Sequence, residues 1–393
     1  MMDEQDGQIR DIDPYQPIRS RRLSLSRLAR RVLMRPPGQR PSAPFLGAFF
    51  ALYHTLAGLG QTFRAIDDQL WPEHTRQEVN EPLYIIANPR SGTTYLHNLL
   101  SLDEERFASH KLYQTILPSV TVSKLGELAA QLDRRYAGGE LSRLLERFDD
   151  AIMPFWDGIH SVGMRNTEED EALFVFQKAS IGLCLWLPAI EELRTAVLLD
   201  HWPDDERQQV VAYYRDCIRR HVFAQGGRRF LGKNVLASGR IGTLLEAFPS
   251  AGIVYLVRHP YEAIPSFVSM FSAPWVNHSP DIGESAPEHR QLAGIAIAMY
   301  RHAFAMCQEL PPERVLPIRY QDLVADPVKT VERIYGHFGM EASPGYAAKL
   351  RSEVQVSKNY KSTHAYSLEG YGLTREEIHA SLKDVFEAYG FEP

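Results

Sequence analysis

The chain has 393 residues, 44% of them apolar and 10% aromatic, and a formal net charge of −6. That is ample for a sizeable core and too apolar for a disordered chain, and the charge supplies no global basic field for binding nucleic acid. Three widely spaced cysteines, Cys184, Cys217 and Cys307, without a CxxC or Cys/His cluster, suggest neither a disulfide framework nor a zinc site and point to a reducing, cytoplasmic setting.

Residues 1–45 read as a basic, partly disordered arm. Seven arginines between Arg19 and Arg35 are interleaved with Leu23, Leu25, Leu28, Val32 and Leu33. Two readings fit: a basic amphipathic helix on an acidic membrane surface, or a solvated arm. The charged-then-apolar-then-small order of a signal peptide is missing near the start. Residues 43–60 carry no formal charge. A bilayer span needs about 20 strongly apolar residues, and Tyr53, His54, Thr55, three glycines and a proline interrupt this run. A buried or interfacial helix is expected instead, and the arm beside it keeps peripheral membrane contact open.

From 46 to 393 the pattern is that of one α/β domain. Leu83–Leu100, LYIIANPRSGTTYLHNLL, reads as a buried strand to Ala87, a Pro/Ser/Gly turn, and a helix from Thr93 with Leu96, Leu99 and Leu100 on one face. A strand that breaks at a glycine turn into a helix N-terminus gathers backbone N–H groups and the positive end of the helix dipole. Arg90, Ser91, Gly92, Thr93 and Thr94 complete a cradle for phosphate or sulfate.

Residues 115–225 read as a mainly helical insertion that shapes an acceptor pocket. Thr167 is placed to cap a helix beginning at Glu168, and Asp204–Ala224 forms another, opened by Pro203 and closed by Gly226. Aromatic residues Phe155, Trp156, Phe174 and Phe176, and Trp275 and His278 in the loop 271–290, fit either a lidded apolar pocket or ordinary core. The sheet then resumes with strands at Arg229–Lys233, Ile253–Val257 and Val315–Ile318, and Ser238 is placed to cap a helix to Phe248. In magnesium-dependent phosphoryl transfer the strand beside the cradle ends in an aspartate, and the cradle ends in GK[ST]. Here the strand ends in Arg258 and the cradle lacks that lysine. This favours anion binding by side-chain cations, with no metal.

The turn NPRSGTT, Lys233 at a strand end, Arg258 with Ser266 eight residues on, RYQDLVADPVKTVERIYGHFG and YSLEGYGLT together resemble sulfotransferases that use 3′-phosphoadenosine 5′-phosphosulfate (PAPS), closest to the bacterial type with a PRSGTT loop. The resemblance covers about residues 80–393. It implies a P-loop NTPase-like three-layer α/β/α fold with a mostly parallel sheet. It implies that Arg90, Ser91, Gly92, Thr93 and Thr94 hold the phosphosulfate, that Arg258 and Ser266 hold the 3′-phosphate, and that Tyr320 lies near the adenine. Lys233 resembles the lysine that supports the sulfuryl group, and Lys358 and Lys361 fall in a loop that closes over the nucleotide in relatives. The implied reaction moves a sulfuryl group to a hydroxyl or amine, leaving PAP. The aromatic residues and the N-terminus point to an apolar or lipid-like acceptor.

The general base departs from the family pattern. The position two residues after Lys233, a histidine in cytosolic sulfotransferases, is Val235, and Gln114 stands near the carboxylate position of other relatives. His110 is the expected base on the strength of its loop and its ordinary pKa. Glu168, Asp170, Glu171 and His160 are the reserve. A P-loop small-molecule kinase and an inactive PAP-binding relative remain as alternatives. Towards the C-terminus, Asp326 and Pro327 open a helix to about Gly339, and Thr374 with Glu377 forms a capping box for a last helix to Ala388.

Overall fold

Strands β1 (Leu83–Ala87), β2 (Phe107–Ala108), β3 (Arg229–Asn234), β4 (Gly252–Val257) and β5 (Val315–Arg319) pair in parallel in the order β2-β3-β1-β4-β5. The computed structural model describes residues 23–140, 143–144, 167–283, 286–357 and 368–393. Around the sheet stand α1 (Leu25–Leu33), α2 (Ala43–Leu70), α3 (Thr93–Ser101), α4 (Val120–Tyr136), α5 (Glu171–Phe176), α6 (Asp204–Ala224), α7 (Ile241–Ala247), α8 (Pro260–Ser272), α9 (Pro287–Glu309), α10 (Tyr320–Ala325), α11 (Pro327–His337), α12 (Pro344–Ser357) and α13 (Arg375–Tyr389).

A parallel sheet covered on both faces needs strands apolar throughout, and β1 and β4 are buried at every residue. Their side chains alternate between two cores. Leu83, Ile85 and Ala87 point into one with Leu96, Leu99 and Leu100 of α3 and Ile334 of α11. Tyr84 and Ile86 point into the other, with Cys217 and Ile218 of α6 and Phe267 of α8. This is the expected three-layer α/β/α fold. Leu25, Leu28 and Val32 of α1 are buried in the second core.

Local signals placed most elements to within a residue or two. β1, α3 and α6 begin as read, Asp326 caps α11, and the Thr374–Glu377 capping box opens α13. Two caps differ. Ser238 sits in a separate 3₁₀ turn, and α7 starts only at Ile241. Thr167 is an extended residue bridged antiparallel to Lys111, so α5 starts at Glu171 and not Glu168. The stretch 43–60 is not buried. It opens a 28-residue helix, α2, of whose most apolar window only 17% is buried.

The far end of α2 is tied to the start of α4 and to α6. Asp67 is wholly buried and accepts from Ser119 Oγ (2.9 Å), Val120 N (2.8 Å) and Thr121 N (2.9 Å) at the start of α4. It also pairs with Arg220 of α6 at 3.2 Å. Arg220 keeps Asp68 and Asp216, but without Asp67 the Ser119 hydroxyl and the Val120 and Thr121 N–H groups lose a buried acceptor. Asp67→Ala is therefore expected to lower the unfolding free energy by about 2–3 kcal/mol, read by urea denaturation. A loss below about 1 kcal/mol would show that the junction is not structural.

Candidate active site

The site lies where the carboxyl ends of β1, β3 and β4 meet, at the point where the chain turns to opposite sides of β1. The turn after β1 takes two left-handed residues, Arg90 (φ 68°) and Gly92 (φ 83°). A glycine is required at 92 for a second reason. A Cβ there would lie 2.9 Å from the Tyr320 ring, so the loop backbone closes directly on that ring. Gly92 caps α3 without a side-chain hydrogen bond, leaving the first N–H groups of α3 to a ligand.

Arg258, just past β4, ties the turn together. Its Nη1 donates to the Arg90 carbonyl at 2.6 Å, its Nε donates to Glu262 at 2.8 Å, and its guanidinium lies 4.7 Å over the Tyr320 ring. The structure thus brings Arg90, Gly92, Arg258 and Tyr320 into one packed unit. Ser91 and Ser266 are both buried, and neither hydroxyl has a hydrogen-bond partner among the described residues. Buried hydroxyls without partners are costly. Two of them, at the cradle and two turns into α8, fit a ligand with anionic oxygens.

Lys233, at the end of β3, is buried, and its Nζ donates to Thr94 Oγ1 at 3.2 Å. Glu169 Oε1 stands 3.6 Å from the same Nζ, with a side chain 21% exposed. Glu169 is held there by its neighbours. The Glu168 N–H donates to the His110 carbonyl, and the Asp170 N–H donates to the Lys233 carbonyl. The Asp170 carboxylate accepts from Asn234 Nδ2 and from the Tyr214 hydroxyl. Burial raises the Asp170 pKa to about 6.

His110, the expected base, packs among other rings. The His110 ring is buried against His221 (4.0 Å between centroids) and Phe230 (5.1 Å), and neither nitrogen has a hydrogen-bond partner among the described residues. Burial pushes its pKa down to about 3. Of the reserve, Asp170 is committed to Asn234 and Tyr214, and Glu171 to Arg240 at 3.1 Å. His160, Lys358, Lys361, Phe155 and Trp156 lie outside the described residues. Phe174, stacked on Tyr214, and Trp275, which donates to the Cys184 carbonyl, are core. Glu169 was the residue that sequence reasoning passed over, because it reads as one of four acids in a first helical turn.

A strand–turn–helix unit on a parallel sheet, flanked by a buried lysine and a strand-end arginine, defines a P-loop-like α/β fold. The family model described as the Sulfotransferase family matches residues 82–344, and the chain belongs to that family. It is 25% identical over 324 residues to the omega-hydroxy-beta-dihydromenaquinone-9 sulfotransferase Stf3 of Mycobacterium bovis and of Mycobacterium tuberculosis, covering 79% of this chain and 75% of each relative. Among solved structures it resembles sulfotransferase STF9 of Mycobacterium avium (TM-score 0.74, 18% identity, 94% of this chain and 91% of that one). It also resembles STF1 of M. tuberculosis (TM-score 0.63, 20% identity, 88% and 87%). The fold is shared with both, and the family match displaces the kinase alternative.

Proposed function

We propose that this sulfotransferase takes its sulfuryl group from PAPS and gives it to a hydroxyl of an apolar, lipid-like acceptor. The observation that carries the donor is the pair of buried hydroxyls, Ser91 and Ser266, without hydrogen-bond partners among the described residues, set around Arg258 and the start of α3, which has no side-chain cap. The cradle Arg90, Ser91, Gly92, Thr93 and Thr94 holds the phosphosulfate end, Arg258 and Ser266 hold the 3′-phosphate, and Tyr320 lies beside the adenine. When bound, PAPS supplies an electrophilic sulfuryl group on a phosphate leaving group.

The residues of the chain supply the rest. The sulfur–oxygen bond to the phosphate would break with its electron pair left on the phosphate oxygen, and Arg90, Lys233 and the α3 N–H groups would be the donors to that charge. Glu169, in place of His110, takes the proton that the acceptor hydroxyl loses as its oxygen bonds to sulfur. Lys233 Nζ, 3.6 Å from that carboxylate, positions it beside the cradle. The acceptor class rests on the Stf3 relatives, whose named substrate is a menaquinone derivative.

The donor is tested by thermal shift. PAP should raise the melting temperature of the wild type, and Arg258→Ala, whose guanidinium is part-exposed, should lose most of that rise while keeping its fold. No response of the wild type to PAP sinks the reading.

A further inference from the structure

The outer side of the N-terminal helices is left without a partner. Fourteen large apolar side chains are exposed among the described residues, and ten of them fall on or just past α1, on α2, or on α4. They recur at helical spacing. Leu52, Leu59 and Ile66 stand seven apart on α2, and Leu125, Leu128 and Leu132 line one side of α4. Scattered exposed leucines are ordinary. A concentration of most of them on neighbouring helices marks an interaction surface.

Charge identifies the partner. Between Asp13 and Asp67 the sequence has nine arginines and no acidic residue, in a chain whose net charge is −6. Arg27, Arg30 and Arg31 of α1 are exposed, beside exposed Leu33 and Met34. On α2 no charged residue occurs from Ala43 to Phe63. An uncharged apolar helix face next to an acid-free basic helix is complementary to an acidic bilayer surface.

The contacts of α2 fit a helix lying along such a surface and not one crossing it. Among the described residues α2 is the one helix long and apolar enough to span, yet one side of it belongs to the protein. Leu46, Tyr53, Gly60 and Asp67 are buried at seven-residue intervals. The Tyr53 hydroxyl donates to the Val175 carbonyl, Arg64 pairs with Asp216, and Asp67 with Arg220. Crossing the bilayer would break all of these.

We infer that α1, α2 and α4 form a docking face for an acidic lipid bilayer. It seats the enzyme where a lipid-like acceptor resides. That last step rests on the proposed acceptor class, while the docking itself does not.

The test is flotation of the full chain with vesicles, which reads binding without any turnover. The protein should float with phosphatidylcholine vesicles containing 30% phosphatidylglycerol, and at least fivefold less with phosphatidylcholine alone or in 0.5 M salt. Leu52→Glu/Leu59→Glu places charges on the outward side and should abolish flotation. Its PAP-induced thermal shift should match the wild type, which separates lost docking from lost folding. Arg30→Glu/Arg31→Glu should weaken flotation several-fold. The inference is overturned if the wild type does not float with acidic vesicles, or if Leu52→Glu/Leu59→Glu floats like the wild type. It is equally overturned if the wild type sediments as a dimer that Leu52→Glu/Leu59→Glu dissociates, because a second copy would then occupy the face.

Discussion

Glu169→Gln is expected to lower kcat by about 10²–10³ while leaving PAP binding unchanged, the scale of a lost general base. The isosteric amide keeps the shape of the side chain and can still face Lys233, but it cannot accept the acceptor proton. The acidic limb of the kcat/KM profile, which reports ionisation of the base in the free enzyme, should disappear with it. Glu169→Asp should recover part of the rate because the carboxylate remains, set back by one methylene. Lys233→Ala makes the complementary case. It removes the donor beside Thr94 and the charge that holds Glu169, so kcat should fall at least as far. His110→Phe keeps a ring against His221 and Phe230 and should cost less than a few-fold. Turnover within threefold of wild type in Glu169→Gln, measured with PAPS and a long-chain primary alcohol, would remove Glu169 from the mechanism.

How much of this was legible in the sequence depends on how local the signal is. Leu83–Leu100 folds as read because strand, turn and helix start are set by neighbouring residues: an apolar run, an SGT turn, and Leu96, Leu99 and Leu100 on one side of α3. Arg258 and Ser266 follow the same logic at β4 and α8. Glu169 does not. Thr167 and the acids after it carry a helix-start pattern, but Thr167 is drawn into an extended bridge with Lys111, 56 residues away in the chain. That pairing delays α5 to Glu171 and turns Glu169 towards Lys233. No local rule reports a partner so distant. The same limit applies to α2. Its composition allows a buried or an interfacial helix, and the tertiary contacts at Tyr53, Arg64 and Asp67 decide which side packs.

Lowering the pH from 7 to 5 is expected to destabilise the enzyme by several kcal/mol, with cooperative unfolding between about pH 5.5 and 4. The cause lies behind Lys233. His97, His110 and His221 are all buried, and burial is the main reason that each is held neutral. Lys233 adds to the effect at His97, and the His110 ring to that at His221. His97 and His110 titrate near pH 3 in the folded protein, against about 6.5 in the unfolded chain. A depressed folded pKa means that the unfolded state binds more protons. The stability is therefore full above about pH 6.5 and is lost as pH falls towards 3. Each of these two rings forfeits about 2 kcal/mol by pH 5, about 4 together, and His221, shifted in the same direction, adds to the loss. Asp170 opposes them. Its raised pKa means that the folded state gains protons first, which returns about 1 kcal/mol over the same interval. Three rings against one carboxyl leave the histidines in control. Urea denaturation from pH 8 to 5 measures the slope directly, and His221→Phe should make it shallower below pH 6 whatever its stability at pH 8. An unchanged slope would mean that His221 is protonated in the folded protein, and would require a counter-charge beside Phe230 and His110.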